Sequence, residues 1–338
     1  MSVDILVIAE AAPSSGALTA SSLELLGAAQ RVLQAAGGGT VAAAIAGAGV
    51  AALAPELAAH GAQQVLIADD PSLGTYLGEA YVPILEQAIG HADPAVVLLA
   101  HSAGGRELAP RLAFRLGCGL VTDCTALRVE GSAPSLAGRL ALTKPVYGGS
   151  AVAEYAPDAD ATCVMATLRP RSFEPPARSD GASPEIVQLD VSAAPSHARV
   201  VEVVREAAEG PRLKDAKVVV SGGRGLGGPE NWHLVEELAA ALGGAVGATR
   251  AVTDAGWVPP THQVGLTGTT VTPDLYVAAG ISGAVQHIAG MSGSRTIVAV
   301  NRDPEANIFK HARFGVVGDV KQVLPALTAR VKELRGSA

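Results

Sequence analysis

The residues best placed for chemistry lie between Pro273 and Asn301, above all in Gly280-Ile-Ser-Gly-Ala-Val-Gln-His287. An apolar run, Leu275–Ala279, reads as a buried strand and ends in a turn carrying Gly280, Ser282 and Gly283. A helix follows at once, with Gln286 and His287 in its first turns, and a second apolar run, Thr296–Val300, ends in Asn301. A strand that enters a helix through glycines aims free backbone N–H groups at one spot, where an anion is favoured. An amide and an imidazole stand beside that spot. The expected ligand is a cofactor with both a phosphate and a polar ring.

A second turn of this kind comes earlier. Gly223-Arg-Gly-Leu-Gly-Gly228 fits G-x-G-x-x-G, after the strand-like Lys217–Ser221 and before a helix expected over Trp232–Leu242. The NAD form of this turn needs an acidic residue about 20 positions on, to bind the ribose hydroxyls. Here the next strand, near Ala245–Thr249, runs into Arg250, so a cation stands where that anion belongs. Plain NAD is disfavoured. Arg224 and Arg250 suit a pyrophosphate or a 2′-phosphate, which leaves an NADP-binding domain of transhydrogenase type as an alternative. On this segment alone, a structural turn with solvated arginines is the less favoured reading.

Strands and helices must position these turns. In the N-terminal part, strands are expected at Ile5–Ala9, Val41–Ala46, Gln64–Ala68 and Val96–Ala100. Helices are expected over Ala20–Ala36, Ala51–His60, Tyr76–Ile89 and Arg106–Leu116. Gly37 and Gly61 stand where helices stop, and Pro83 predicts a break or kink. Such βα alternation predicts a parallel sheet covered on both faces. The runs Leu120–Val129, Leu136–Thr143 and Thr162–Thr167 predict added strands, antiparallel ones among them. Arg169–Ser196 is rich in Pro, Ser and charge, Val200–Ala208 reads as a short helix, and Gly210-Pro211 breaks the chain. The expected division is an α/β parallel-sheet domain with extra strands over 1–208 and a Rossmann-like domain over 209–338. In the second, an irregular Asp254–Pro273 precedes the opening strand, and helices over Ala306–Phe314 and Val320–Leu334 flank Gly315–Val317.

Composition narrows the class. The chain has 338 residues, 49% hydrophobic and 17% charged, which excludes a disordered chain and allows two domains. Aromatics are 3%, so the core must be Ala, Val, Leu and Ile. A net charge of −7 with no basic, aromatic-interleaved stripe argues against nucleic-acid binding. Cys118, Cys124 and Cys163 lack the spacing of a disulfide framework or zinc site. The longest apolar stretch, Thr40–Ala54, falls short of a membrane helix, and strand-like residues from Ile5 leave no room for a leader, so a cytoplasmic location is expected. His101-Ser102 lacks the G-x-S-x-G elbow of a hydrolase, Asp123-Cys124 reads as a strand end, and Trp232 and Trp257 as packing residues.

Assembled in order, these pieces closely resemble the α subunit of electron transfer flavoproteins. The resemblance is carried by Ser221-Gly-Gly-Arg-Gly-Leu226, Val246-Gly-Ala-Thr-Arg250, Gln263-Val-Gly-Leu-Thr-Gly268, Pro273-Asp-Leu-Tyr276, Gly280–His287 and Ile297-Val-Ala-Val-Asn301, with Ala109-Pro-Arg-Leu-Ala113 and Thr122-Asp123 in the first domain. It implies an electron carrier in fatty acid oxidation, not an enzyme with a small substrate. It implies one FAD held mainly by the second domain, and a β subunit that packs against the first domain and carries AMP. Donors would be acyl-CoA-type dehydrogenases and the acceptor a membrane quinone oxidoreductase. Gly104-Gly105 then reads as a structural turn.

The resemblance also implies roles. Arg224 and Ser282 match positions near the FAD phosphates, and Gly283, Ala284 and Val285 continue that turn. Thr249 and the stretch Gln263, Val264, Gly265, Leu266 and Thr267 match the flavin lining, with the Thr267 hydroxyl toward flavin N5. Arg250 matches an arginine against the isoalloxazine. Gln286 and His287 match the ribityl and pyrimidine side, where His287 as a donor would stabilise charge that develops on reduction, and more strongly if partly protonated. Asn301, Asp319 and Val320 match the adenosine end. No residue is expected as nucleophile or metal ligand. The chain departs from the family at Leu266, where Gln is common, and at Thr249, where Ser is common.

Overall fold

Apolar runs bounded by glycine become strands, and amphipathic runs become helices, through both halves of the chain. The computed structural model describes residues 3–12, 15–149, 151–179, 181, 183–191, 198–203 and 211–336. In order, the first half holds β1 (Ile5–Ala9), α1 (Ala20–Ala36), β2 (Val41–Gly47), α2 (Ala54–Ala59), β3 (Gln64–Asp69), α3 (Gly78–Ala92), β4 (Val96–Ala100) and α4 (Ala103–Leu116). There follow β5 (Gly119–Cys124), β6 (Ala126–Val129), β7 (Leu140–Val146), β8 (Ala151–Tyr155), β9 (Val164–Leu168) and β10 (Glu185–Gln188). The second half holds β11 (Val218–Gly222), α5 (His233–Leu242), β12 (Ala245–Ala248), α6 (Arg250–Thr253), β13 (Leu275–Ala279), α7 (Val285–Ala289), β14 (Thr296–Asn301), β15 (Phe314–Val317) and α8 (Val320–Gly336).

Two compact units result, Met1–Pro145 with Val152–Val203, and Val146–Ala151 with Val204–Ala338. The boundary expected at 208/209 lies outside the described residues. The second unit also takes Val146–Ala151 from mid-chain, which no sequence signal announced.

The first unit is built on a seven-stranded sheet in the order β10-β3-β2-β1-β4-β9-β5, parallel throughout. β1 and β4 at its centre are buried along their whole length, which is why they read as unbroken apolar runs. Helix α1 starts at an N-cap, Thr19, and stops at Gly37 with φ 100°. Helix α3 runs through Pro83 without a break: the one backbone bond forfeited is outweighed by burial of Val82, Ile84 and Leu85 beside it.

Other expectations also gave way to tertiary pairing. Leu120–Val129 splits into β5 and β6, because the β5–β9 register slips between Val121 and Cys124, where Asp123 takes φ 63°. Asp123 is held there by Arg169, whose Nε and an amino group donate to its two carboxylate oxygens at 2.9 and 2.6 Å. β5 and β9 join the parallel sheet, and β6 pairs antiparallel with β7 in a separate three-stranded sheet, β6-β7-β8. The Pro- and Ser-rich stretch Arg169–Ser196 contains β10, paired with β3 at the sheet edge. Ala51–His60 opens as a 3-10 turn and is α-helical only over Ala54–Ala59. Of Val200–Ala208, residues 200–203 are irregular and the rest lies outside the described residues. Ser102 caps α4, accepting from Gly105 N–H and donating to Glu10, so its hydroxyl serves the fold.

The second unit carries a five-stranded parallel sheet in the order β12-β11-β13-β14-β15. The chain moves from β11 to β12 on one side and then crosses to β13 on the other. Strand order therefore reverses between β11 and β13, and the crevice beyond their C-terminal ends is where open α/β sheets bind ligands. The helix expected over Ala306–Phe314 reduces to a 3-10 turn, Asn307–Lys310, since Arg313 N–H bonds to Ile297 O and draws the chain back to the sheet as β15. Trp232 is buried and packs over Gly222; Trp257 lies half-buried against the same core. Among the described residues, no helix is long and apolar enough to cross a membrane.

Candidate functional site

At the β11/β13 switch point the two glycine turns meet back to back. Gly223 N–H donates to Ala279 O and Gly225 N–H to Gly280 O, both at 2.9 Å. A methyl on Gly225 would sit 2.6 Å from Gly280 Cα, and one on Gly280 (φ 63°) 2.8 Å from Gly225 Cα. Only residues without a Cβ permit this approach. Beyond it, Gly283 (φ 86°) turns against Ile308, and Asn307 Nδ2 donates to Gly283 O at 2.7 Å.

Asn301 ends β14 in the same crevice. Its Nδ2 donates to Ile281 O at 2.9 Å, and its Oδ1 accepts from Asp303 N–H at 3.0 Å. Asp319 opens α8 by accepting from Lys321 N–H, and Val320 is buried behind it. Gly225, Gly280, Asn301, Asp319 and Val320 line one open cleft with Arg302 and Gly318. Asn301→Ala is expected to destabilise the unit by about 1–2 kcal/mol, since a backbone carbonyl and an N–H lose their partner; equilibrium denaturation checks this.

A second group flanks the cleft. Thr249 follows β12, its N–H bonded to Gly222 O at 3.1 Å. Val264 N–H donates to Ala248 O at 2.9 Å and so lays the next loop along the same edge. Gly265 N–H to Thr269 O at 3.2 Å and Thr269 N–H to Gln263 O at 2.7 Å close that loop. Leu266 N–H donates to Gln286 O at 2.7 Å, joining it to α7. Gly290 packs so close to Gly265 that an added methyl would lie 2.4 Å from Gly265 Cα. Gln263 spends its side chain inside the loop, accepting from the Thr253 hydroxyl at 3.0 Å and donating to Thr267 Oγ1 at 2.9 Å. Thr267 is exposed and, accepting there, keeps its own hydroxyl hydrogen to donate outward. Leu266, 70% exposed, presents an apolar face beside it.

The cations and the turn residues face outward. Arg224, Ser282, Ala284, Val285 and Gln286 are exposed, whereas Gly283 is buried. Arg250 is exposed and pairs with Asp254 one helical turn on, at 3.2 Å. The sequence reading missed Arg302 and Gly318 in the cleft, and Lys321, whose Nζ lies beside Gly227. Gly318-Asp319 is a further strand–glycine–helix step, and that was the available signal.

His287 is turned into the interior of the unit. It is 6% exposed, with Nδ1 3.0 Å from Val264 O and Nε2 2.9 Å from the Tyr276 hydroxyl. A carbonyl only accepts, so Nδ1 carries the hydrogen and Nε2 accepts from Tyr276. Burial pushes its pKa down to about 4, which the Val264 carbonyl opposes only in part. Desolvation thus favours the neutral imidazole near pH 7, and both nitrogens turn inward.

All the sequence-picked residues lie in the second unit, in these two groups. Residues 5–194 match the family model of the electron transfer flavoprotein domain, and residues 212–292 that of the electron transfer flavoprotein FAD-binding domain. The electron transfer flavoprotein subunit alpha of Thermoanaerobacterium thermosaccharolyticum is 40% identical over 335 residues, 98% of each chain. That of Megasphaera elsdenii is 42% identical over 339 residues, covering 99% of this chain and 98% of its own. The protein FixB of Clostridium saccharobutylicum is 40% identical over 326 residues, 94% of each chain. A sheet whose two glycine turns close on one crevice, matched end to end by these relatives, places the chain in the electron transfer flavoprotein α-subunit family.

Proposed function

We propose that this chain is the FAD-holding subunit of a two-subunit electron carrier. The observation that supports it best is the meeting of Gly223 and Gly225 with Gly280 at the switch point, inside the stretch that matches an FAD-binding domain. The crevice fits a dinucleotide in kind: backbone approach without Cβ atoms, cations at its rim, and a polar amide, Asn301, at its far end. Arg224, Ser282 and Gly283 hold the pyrophosphate. Asn301, Asp319 and Val320 hold the adenosine. Thr249, Arg250 and Gln263 to Thr267 line the flavin ring, with Ala284, Val285 and Gln286 along the ribityl chain.

Bound FAD supplies the redox chemistry; the chain's residues bind, orient and shield it. Arg250 sets a positive charge beside the ring, Thr267 offers a hydroxyl hydrogen, and Leu266 keeps water from one edge. A β subunit carrying AMP packs on the first unit, acyl-CoA-type dehydrogenases deliver electrons, and a quinone oxidoreductase takes them away. The complex works in the cytoplasm without a nucleophile or metal of its own. Family membership does not favour the NADP-binding alternative.

The test is co-purification with the β subunit and a visible spectrum. A yellow complex with flavin bands is expected, and Arg250→Ala should retain flavin about tenfold less tightly, the scale of one charged contact. A colourless complex, or tight NADPH binding by the chain alone, would overturn the reading.

A further inference from the structure

We propose that Cys118 and Cys163 of the first unit form a dithiol that closes reversibly into a disulfide, a redox-sensitive modification site that ties strand β5 to β9. The site is independent of the FAD reading, which concerns the second unit.

Their spacing in the chain gives no sign of a pair; strand register makes one. Cys118 immediately precedes β5, and Cys163 immediately precedes β9. These strands run parallel, with Gly119 opposite Val164 and Leu120 opposite Met165, so the two cysteines fall opposite each other one step earlier. Side chains alternate along a strand, and both cysteines pack against the same core face that Leu120 and Met165 join. Neighbouring strands lie about 4.8 Å apart, within the Cα separation of about 4.4–6.8 Å that a disulfide spans. Cys118 Sγ donates to Leu116 O at 3.8 Å and has the Cys163 thiol as its hydrogen-bonding neighbour. Both residues are only partly buried, whereas Cys124 is fully buried with its thiol on Val121 O at 3.6 Å.

The co-reactant is a small-molecule disulfide of the glutathione class. The Cys118 thiolate attacks one of its sulfurs, one small thiolate leaves, and Cys118 carries a mixed disulfide. Cys163 Sγ then attacks Cys118 Sγ, and the second small thiolate leaves. The two cysteine protons go to the two released thiolates; the cysteines lose two electrons and the small disulfide gains them. Cys118 attacks first, because burial, with the neighbouring thiol, pushes Cys163 up to about 12. An excess of small thiol reverses both steps. β5 is the edge strand of its sheet, and the closed loop carries β5 to β8 together with Val146–Ala151. The bond restricts the unfolded chain across that loop, so the oxidised form is the more stable.

The test treats the intact, native chain with glutathione disulfide and follows its peptides by tandem mass spectrometry, which resolves Cys118 from Cys124 within the tryptic peptide Leu116–Arg128. A Cys118–Cys163 link should form about tenfold faster than Cys124 is modified, in a chain that runs as a monomer on non-reducing electrophoresis, and dithiothreitol should remove it. In Cys163→Ser the reaction should stop at a glutathione adduct on Cys118; in Cys118→Ser, Cys163 should stay unmodified. The oxidised parent should unfold at higher urea concentration than the reduced parent, a difference absent from both variants. A Cys118 adduct in the parent that never passes to Cys163 would overturn the proposal. So would a link that forms only between chains or only after denaturation, or a Cys124 that reacts as fast as the pair. The parent measurement needs no substitution, so a variant that misfolds leaves the test standing. None of these readouts requires flavin, so a colourless complex removes the FAD reading and leaves the thiol result to be judged by itself.

Discussion

Gly283→Ala should destabilise the second unit by about 3 kcal/mol and abolish flavin retention. Two effects add. Gly283 has φ 86°, where an L side chain costs about 1–2 kcal/mol. Its new methyl would also lie 2.3 Å from Ile308 N and 2.7 Å from Ile308 Cα. These are backbone atoms and cannot rotate aside, so the 3-10 turn at Asn307 must move, at about 1–3 kcal/mol. That movement breaks the Asn307 bond to Gly283 O and the Ile308 N–H bond to Ser282 O, which together shape the Ser282–Gly283 turn. Gly256 is the internal comparison: it has φ 71° but nothing within 4 Å of an added methyl. Gly256→Ala should therefore show only the strain of about 1 kcal/mol. Urea denaturation of both variants decides the matter. Equal losses would mean that the close packing at Ile308 contributes nothing.

Acid should weaken the second unit through His287. An unfolded histidine titrates at about 6.5, whereas burial holds His287 down at about 4 in the fold. Between these values the unfolded chain binds a proton that the folded chain refuses, so stability rises with pH across the window. The contribution is complete above about pH 6.5 and is lost as pH falls to about 4, a change of roughly 3 kcal/mol. His287→Gln keeps a donor for the Val264 carbonyl and removes the titration. Its denaturation midpoint should fall less steeply than the parent's between pH 7 and pH 4. Parallel slopes would show that His287 carries no such penalty. The half-buried Glu10 of the first unit works in the opposite sense, its carboxyl raised by desolvation, so the comparison must be parent against variant.

Much of this was legible in the chain itself, for identifiable reasons. Strands β1, β4 and β13 match their expected ends because strands buried on both faces are continuous apolar runs closed by small residues. The glycine turns were legible because a strand that must enter a helix at close quarters needs residues without a Cβ. Asn301 was read as the end of an apolar run, whereas Asp319 was reached only through the family resemblance. Strand β10 was not, because four mostly exposed residues at a sheet edge carry no periodic signal. Arg250 was visible as a cation, but its pairing with Asp254 was not anticipated.

The sequence by itself determined the class: βα alternation, two glycine turns, no acidic ribose partner, and cations in its place. These are local properties, set by backbone freedom and by apolar period over a few residues. Only the tertiary structure decided which groups lose water together. It set Gly225 against Gly280 through the β11–β13 register, and it drew Val146–Ala151 into the second unit. It also turned His287 inward between Tyr276 and Val264. Whether an imidazole is a charged donor or a neutral latch depends on its desolvation and on partners 11 and 23 residues away, and no local pattern encodes that contact.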